Sequence, residues 1–414
     1  MLRNNSFFKS ILLLTSGSFL AQAITALSLP ILTRLFEPDI IGMNTYIISV
    51  AAIFLSVING RYDVAIVTEK NDDNIFALLK LCILTGVILS VIASLSFGVY
   101  FYASGRDVWM ALYVFFILLS YALVDTFTAY NNRQKDYKTI SSVYVLRSTV
   151  QNVGAIFGGL IVSSVHCLSI PYTVGLFAGL SRQAKPLRSK IKQILLVPWS
   201  KIKYVAYIHK NQPLFSAPAL LANSLSYSLV TILLESLYGL EQVGFYSISV
   251  RLLGLPLALV GTNVSKVYVE RAAKEFNTTG HYSNTFKKTF LFLLCVVLPM
   301  SLVLFLFASP LCSLLLGSQW YDAGRMIVIL VPMFAVRLLT SAMSPSFVLV
   351  KKQKIELILQ SLFLMSSIVS FMVSKIYMLD IYGCLKIISL LFTASYTIYL
   401  IMIFVYSRSK TNNY

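Results

Sequence analysis

A chain of 414 residues could hold two or three soluble domains, but 57% apolar residues, 12% charged residues and a mean hydropathy of +0.78 exclude an ordinary soluble globule. Its net charge of +18 would suit a nucleic-acid binder if the cations formed one basic face. They fall instead into separate loops between long apolar runs, so nucleic acid is not an expected partner and the lipid bilayer is the expected solvent.

A helix needs about 20 apolar residues to cross a hydrocarbon core roughly 30 Å thick. Runs of that kind predict spans near 10–33, 40–59, 76–103, 109–130, 140–163 and 166–181, then 213–237, 244–265, 288–308, 325–350, 355–375 and 383–406. The expected fold is all-α and polytopic, with about 12 transmembrane helices in two six-helix lobes related by a pseudo-two-fold axis along the membrane normal. The lobes occupy 1–185 and 213–406, joined by a basic amphipathic linker at 186–212 and followed by a tail at 407–414.

The first run imitates a secretory signal, with Arg3 and Lys9 ahead of it and Ala21-Gln22-Ala23 in place of a cleavage site. It continues to Leu32, too far for the apolar core of a signal, and is expected as a retained span. The sixth run is short and broken by Pro171 and Gly175. The linker mixes Lys and Arg with Ile191, Ile194, Leu195, Trp199, Ile202 and Val205. Such a segment suits the inner leaflet, cations toward anionic lipid and apolar side chains inserted.

Basic residues crowd into alternate loops: Arg61 and Lys70; Arg133, Lys135 and Lys138; residues 182–210; residues 266–288; Lys351, Lys352 and Lys354; Arg408 and Lys410. The opposite loops hold few, namely Arg34, Arg106, Arg325 and Lys375, with Lys386 just inside the next span. The positive-inside bias therefore predicts a multi-pass protein with both termini in the cytoplasm.

Catalytic chemistry has little to work with. The outer loops are too short to present the carboxylate pairs of a glycosyltransferase or polymerase. His166, His209 and His281 are scattered, and the five cysteines lack metal-ligand spacing. No enzyme activity, metal or cofactor is expected.

One local pattern occurs twice. Leu35-Phe36-Glu37-Pro38-Asp39-Ile40-Ile41-Gly42 is echoed by Leu237-Tyr238-Gly239-Leu240-Glu241-Gln242-Val243-Gly244, each between two apolar runs. Two copies dividing the chain in half fit the parallel repeats of many transporters. With Arg61-Tyr62-Asp63-Val64-Ala65-Ile66-Val67, Asn132-Arg133-Gln134-Lys135-Asp136-Tyr137 and Val243-Gly244-Phe245-Tyr246-Ser247 through Leu255-Pro256, the chain resembles the Wzx-type polysaccharide flippases. These belong to the multidrug/oligosaccharidyl-lipid/polysaccharide exporter superfamily.

Charges inside the spans are the candidate site. Arg147, Arg337 and Arg251 are placed about 10 Å above the inner edge, near the middle and about 10 Å below the outer edge, at ~1.5 Å per residue. Arg34 stands at the outer mouth. A central Arg costs about 2.5 to 3.5 kcal/mol on the insertion scale and needs a polar interior. A ladder of guanidinium groups suits a diphosphate, because the planar fork donates paired hydrogen bonds and stays charged. The acids within reach are Asp125, Glu235 and Asp63, as coupling or structural groups. An Asp125 to Arg147 pair, level with each other on neighbouring spans, is expected.

The resemblance implies translocation of undecaprenyl-pyrophosphate-linked oligosaccharide repeat units across the bacterial inner membrane for O-antigen or capsule synthesis. The mechanism it implies is alternating access through a basic central cavity, driven by an H+ or Na+ gradient. It also implies polysaccharide polymerase and chain-length proteins as partners. The alternatives are a multidrug exporter of the same superfamily, which would want carboxylates that residues 10–33 lack, and a membrane enzyme of polysaccharide assembly.

Overall fold

The computed structural model describes residues 4–69, 71–350 and 352–408. Arg3, Lys70, Lys351, Lys410 and the tail beyond Arg408 lie outside the described residues. Among the described residues the secondary structure is helical, with no strand. The chain divides into two compact units, Met1–Ser228 and Leu229–Tyr414.

The first unit holds α1 (Asn4–Leu35), α2 (Pro38–Leu55), α3 (Tyr62–Thr68), α4 (Ile75–Ala103), α5 (Met110–Arg133), α6 (Tyr137–Ile161), α7 (Val165–Phe177), α8 (Leu180–Gln183), α9 (Ile191–Leu195) and α10 (Trp199–Ile208). The division falls inside α11 (Ala217–Tyr238), so the helix expected to open the second lobe contributes its first turns to the first unit. The second unit continues with α12 (Leu240–Pro256), α13 (Thr262–Thr279), α14 (Ser283–Leu316), α15 (Tyr321–Met343), α16 (Ser346–Leu349), α17 (Gln353–Ile376) and α18 (Ile381–Arg408).

Ten helical segments among the described residues are long and apolar enough to cross a membrane. The two other expected spans are α6 and α7. Helix α6 has the length, at 25 residues, but carries Lys138, Arg147, Gln151 and Asn152. Helix α7, at 13 residues, reaches only about 20 Å, two thirds of the hydrocarbon thickness. Elsewhere the lipid-facing surface is plain: Leu298, Leu302 and Phe305 stand exposed along α14, an arrangement water would penalise and a bilayer does not.

The sequence echo has a structural counterpart in each unit. Gly42 is the fifth residue of α2 and Gly244 the fifth residue of α12; both are buried, and both helices carry an acid, Asp39 or Glu241, in the second position. An acid there faces the positive end of the helix dipole. Both helices also end in a disruption. After α2 the backbone turns through Gly60 and Arg61, both with positive φ (58° and 61°); after Pro256 a π-helical turn, Leu257–Gly261, leads into α13. A proline removes a ladder hydrogen bond, and a widened turn absorbs the loss.

Without a hydrophobic force between helices in lipid, small residues and polar contacts hold the helices within each unit together. In the first unit α1 and α6 run parallel, Thr25 Oγ1 lying 3.0 Å from Ser148 Oγ and accepting from Asn152 Nδ2 at 3.3 Å. In the second, Gly324 of α15 lies against α14 so closely that a Cβ there would be 2.3 Å from the Ser309 Cα. Ser249 Oγ of α12 donates to the Ala323 carbonyl at 2.7 Å.

The linker differs from expectation in one respect. Ile202 and Val205 do not face lipid; they are buried with Leu187, Leu78 and Leu81 in the core of the first unit. Their three-residue spacing puts them on one face of α10. Lys80 of α4 fixes the linker from below, donating to the Leu195 and Val197 carbonyls at 2.7 and 3.0 Å. Leu195, Leu196, Trp199 and Tyr207 remain exposed.

Candidate functional site

Arg147 sits ten residues into α6, about 15 Å from the helix start, and is 7% exposed. Asp136 opens that helix, its carboxylate accepting from the Thr139 amide at 3.2 Å. Gly175 lets α7 approach α6: a Cβ at that position would be 2.3 Å from Gln151 Cγ and 3.3 Å from the Arg147 carbonyl oxygen. The chain then leaves α7 through Gly179, whose φ of +78° is a left-handed conformation that glycine adopts without steric cost. That turn carries Gln183 back beneath Arg147.

The guanidinium bonds to neutral acceptors. Arg147 Nε donates to the Ala178 carbonyl at 3.3 Å and Nη2 to Gln183 Oε1 at 2.9 Å. Gln183, fully buried, donates in turn to Thr128 Oγ1 at 3.0 Å, and its carbonyl accepts from Asn131 Nδ2 at 2.9 Å. So one glutamine joins the cation on α6 to two polar residues of α5. The expected Asp125 to Arg147 pairing takes a looser form: the Arg147 charge acts on Asp125 through space, while its hydrogen bonds go to Ala178 and Gln183.

Asp125 also feels the charges of Asp63 and Arg61. Those two residues flank the break after α2, with Arg61 Nη1 3.8 Å from Asp63 Oδ2. Just before them, Asn59 is 3% exposed and donates through Nδ2 to the Ala122 carbonyl at 3.1 Å and to Thr126 Oγ1 at 3.3 Å. Its Oδ1 and the nearby Ser56 Oγ and Arg61 Nε are buried without a hydrogen-bond partner among the described residues. A buried polar atom left so is costly, and three of them lie along this one break.

The first unit thus groups three of the seven site residues read from sequence: Arg147, Asp125 and Asp63. Arg34 stands apart. The chain beside it, Leu35 and Phe36, packs on Gly159, twelve residues along α6 from Arg147, or about 18 Å. In the second unit Arg337 is half-buried on α15 with its guanidinium 5.3 Å from the centre of the Phe334 ring. Helix α15 ends at Met343, just ahead of Ser344-Pro345, where Pro345 has no backbone N–H to continue the hydrogen-bond ladder. Arg337 therefore lies six residues from its helix end, nearer that end than the mid-span position expected. Arg251 is exposed on α12, and Glu235 is buried on α11.

Sequence reading missed Gln183, Thr128 and Asn59. A signal existed for the last, since Asn-Gly at 59–60 marks a turn; none existed for Gln183, whose place depends on the turn at Gly179.

On the cytoplasmic side by the charge reading, Glu69 ends α3 and accepts from the Asn71 amide at 2.8 Å, with His209 Nε2 2.8 Å from its other oxygen. The Asn71 amide first, and His209 after it, hold the Glu69 carboxyl below its usual range. Arg133 binds the Glu69 carbonyl and pairs with Asp72 at 2.7 Å.

The fold is similar to that of solved membrane transporters. A multidrug resistance MATE family transporter of the MOP superfamily in an inward-facing conformation gives a TM-score of 0.64 at 14% identity, over 95% of this chain and 94% of that one. The lipid II flippase MurJ, inward closed, gives 0.70 at 14% identity, over 94% and 87%. A MOP superfamily transporter from Pyrococcus furiosus gives 0.61 at 15% identity, over 97% and 95%. At these identities the likeness is one of fold. No curated protein matches the chain. A family model described as polysaccharide biosynthesis protein matches residues 31–325, more than half of the chain, including every site residue named above except Arg337, and the chain belongs to that family.

Proposed function

We propose that this protein translocates a polyprenyl-diphosphate-linked oligosaccharide across the bacterial cytoplasmic membrane, by alternating access, to supply O-antigen or capsule synthesis. The observation that carries the reading is Arg147. Its guanidinium is buried within an apolar chain yet bonded to neutral acceptors, so its positive charge stays available to an anionic guest. Family membership points the same way, and the fold is one shared by a lipid II flippase and multidrug transporters.

In this reading Arg34, Arg147, Arg251 and Arg337 receive the diphosphate at successive stages, and an H+ or Na+ gradient drives the cycle. Asp125 and Asp63 are the groups that exchange the driving ion, because they share one electrostatic neighbourhood with Arg147 and Arg61. Both termini face the cytoplasm, where the enzymes that build the saccharide work; a polymerase and chain-length proteins take the product on the other side.

The test is genetic complementation in a strain whose own flippase gene for a surface polymer is deleted, with immunoblotting of the polymer. Restored polymer by the wild type and loss of it in Arg147→Gln supports the reading. Resistance to cationic drugs without polymer would make the chain a drug exporter of the same fold.

A further inference from the structure

Helices α14 and α18 are tied together at one end and part above it. The Tyr282 amide, just ahead of α14, donates to the Ser407 carbonyl near the end of α18 at 3.0 Å. Beyond this tie a groove of about 470 Å³ opens between the helices, lined by Phe286, Lys287, Phe290 and Leu291 on one side and by Leu400, Ile401 and Phe404 on the other. The Phe286 and Phe290 rings lie nearly parallel, 10° apart in plane with centroids 6.0 Å apart, and Phe404 meets Phe286 at 5.5 Å.

Two cations stand beside the tied end of this apolar groove. Lys287 lines it, and the Arg408 guanidinium lies 4.1 Å from the centre of the Phe404 ring. A guanidinium resting on a ring by its face keeps its in-plane N–H groups for another acceptor. The start of α14 is not itself the anion site, since the Glu275 carboxylate already accepts from the Asn284 and Thr285 amides at 3.0 and 2.8 Å. A second apolar groove among the described residues is different. That one, between α5 and α7, is lined by Trp109, Phe116 and Phe177 and contains the Tyr113 to His166 hydrogen bond of 2.7 Å, without a lysine or arginine in its lining.

We propose that the α14–α18 groove is a recruitment site for the lipid end of the substrate, holding the first isoprene units of a polyprenyl diphosphate along its phenylalanine wall and the diphosphate between Lys287 and Arg408. The inference rests on the translocation reading above and on the loop charges that put Arg408 at the cytoplasmic face. Three features select this occupant. The groove opens on the exposed side of two helices long and apolar enough to cross a membrane, and its cations stand at the helix ends, so the guest that suits it is a lipid. Two cations, one of them resting on the Phe404 ring, match a diphosphate better than the single phosphate of a glycerophospholipid. The stacked Phe286 and Phe290 rings with the tilted Phe404 offer π-faces to the methyl-branched double bonds of a polyprenyl chain, which a saturated acyl chain lacks.

The experiment uses the full-length protein in nanodiscs, with undecaprenyl diphosphate and phosphatidylglycerol as separate probes in native mass spectrometry. The variants are Lys287→Gln/Arg408→Gln, which changes exposed cations, and Ile401→Trp, which fills the groove from its exposed edge. Undecaprenyl diphosphate affinity is expected to fall about tenfold in each, the loss of charge-assisted bonds or of groove volume, with phosphatidylglycerol little changed. Equal losses for both lipids, or an unchanged undecaprenyl diphosphate affinity, would overturn the assignment. If the wild type flips the lipid-linked saccharide while binding is indifferent to the groove, only this proposal fails; if it neither binds nor flips it, the translocation reading fails too.

Discussion

Arg147 and Gln183, thirty-six positions apart in the chain, meet at 2.9 Å in the buried part of the first unit, and that bond decides how the deepest cation of the unit is held. An acid in place of Gln183 would neutralise the guanidinium and hide it. An amide orients the fork and leaves the charge in play.

Replacing Gln183 by Leu should therefore leave a buried charge without its main side-chain partner, at a cost of about 1.5 to 3 kcal/mol for a hydrogen bond to a charged group. The variant should melt several degrees lower in a thiol-dye thermal assay and export less polymer. Gln183→Glu should be worse for export than for stability, because the new carboxylate satisfies Arg147 while cancelling it. Equal export by Gln183→Glu and the wild type would show that the Arg147 charge is not used.

Two glycines separate packing from propensity. A Cβ on Gly324 meets the Ser309 Cα at 2.3 Å, backbone that cannot step aside, so Gly324→Ala should cost about 1 to 3 kcal/mol as overpacking and reduce the yield of monodisperse protein. Gly254 has open space around it, and Gly254→Ala should be neutral or stabilise α12 by about 0.5 to 1 kcal/mol. Fluorescence-detected size-exclusion profiles after a heat step check both, and a reversed order would refute the close approach of α14 and α15.

Much of this fold was readable because the bilayer imposes length and apolarity on each span, and because a repeated turn announces a repeated unit: Gly42 and Gly244 fall in the same position of their helices. The shortness of α7 was signalled by Pro171 and Gly175. What could not be read depends on contacts distant in sequence. Ile202 and Val205 look the same as Leu195 or Trp199 in an amphipathic linker, and which face turns to protein depends on distant partners: the Lys80 hydrogen bonds and the Leu78, Leu81 and Leu187 side chains. The site residues were chosen by charge within a span, which found Arg147, Asp125 and Asp63 but gave no means of finding neutral Gln183 or Asn59.

Glu69 gives a pH dependence with a definite sign. Its carboxyl is held below the ordinary range in the folded protein by the Asn71 amide and by His209, so the folded state favours the ionised form. The stabilisation is present above the unfolded value of about 4.3 and is lost as pH falls through the lower folded value. Thermal midpoints measured between pH 7 and pH 3 should drop more steeply for the wild type than for Glu69→Gln. Parallel curves would mean that the Asn71 and His209 contacts do not persist in solution.

The orientation can be checked without transport. Reporters fused after Tyr414 or inserted between Trp199 and Ile208 should both show cytoplasmic behaviour, and one inserted at Gly105, between α4 and α5, should show periplasmic behaviour, as the loop charges require. A periplasmic signal from the linker would place α10 on the wrong side of the membrane for the Lys80 tether to lie at the inner surface.

The central claim is that arginines within the spans move a diphosphate-linked saccharide, and transport by pure protein tests it most directly. Proteoliposomes loaded with a fluorescent saccharide on undecaprenyl diphosphate would be followed by membrane-impermeant quenching of the label as it changes leaflet. The wild type should flip the lipid well above protein-free liposomes. Arg147→Gln and Arg337→Ala should each slow it by about tenfold or more, the loss expected for a charge-assisted contact, and Arg147→Lys should recover part of the rate, keeping the charge without the planar fork. Flipping by the wild type at the protein-free rate, or full rates in both neutral variants, would contradict the account.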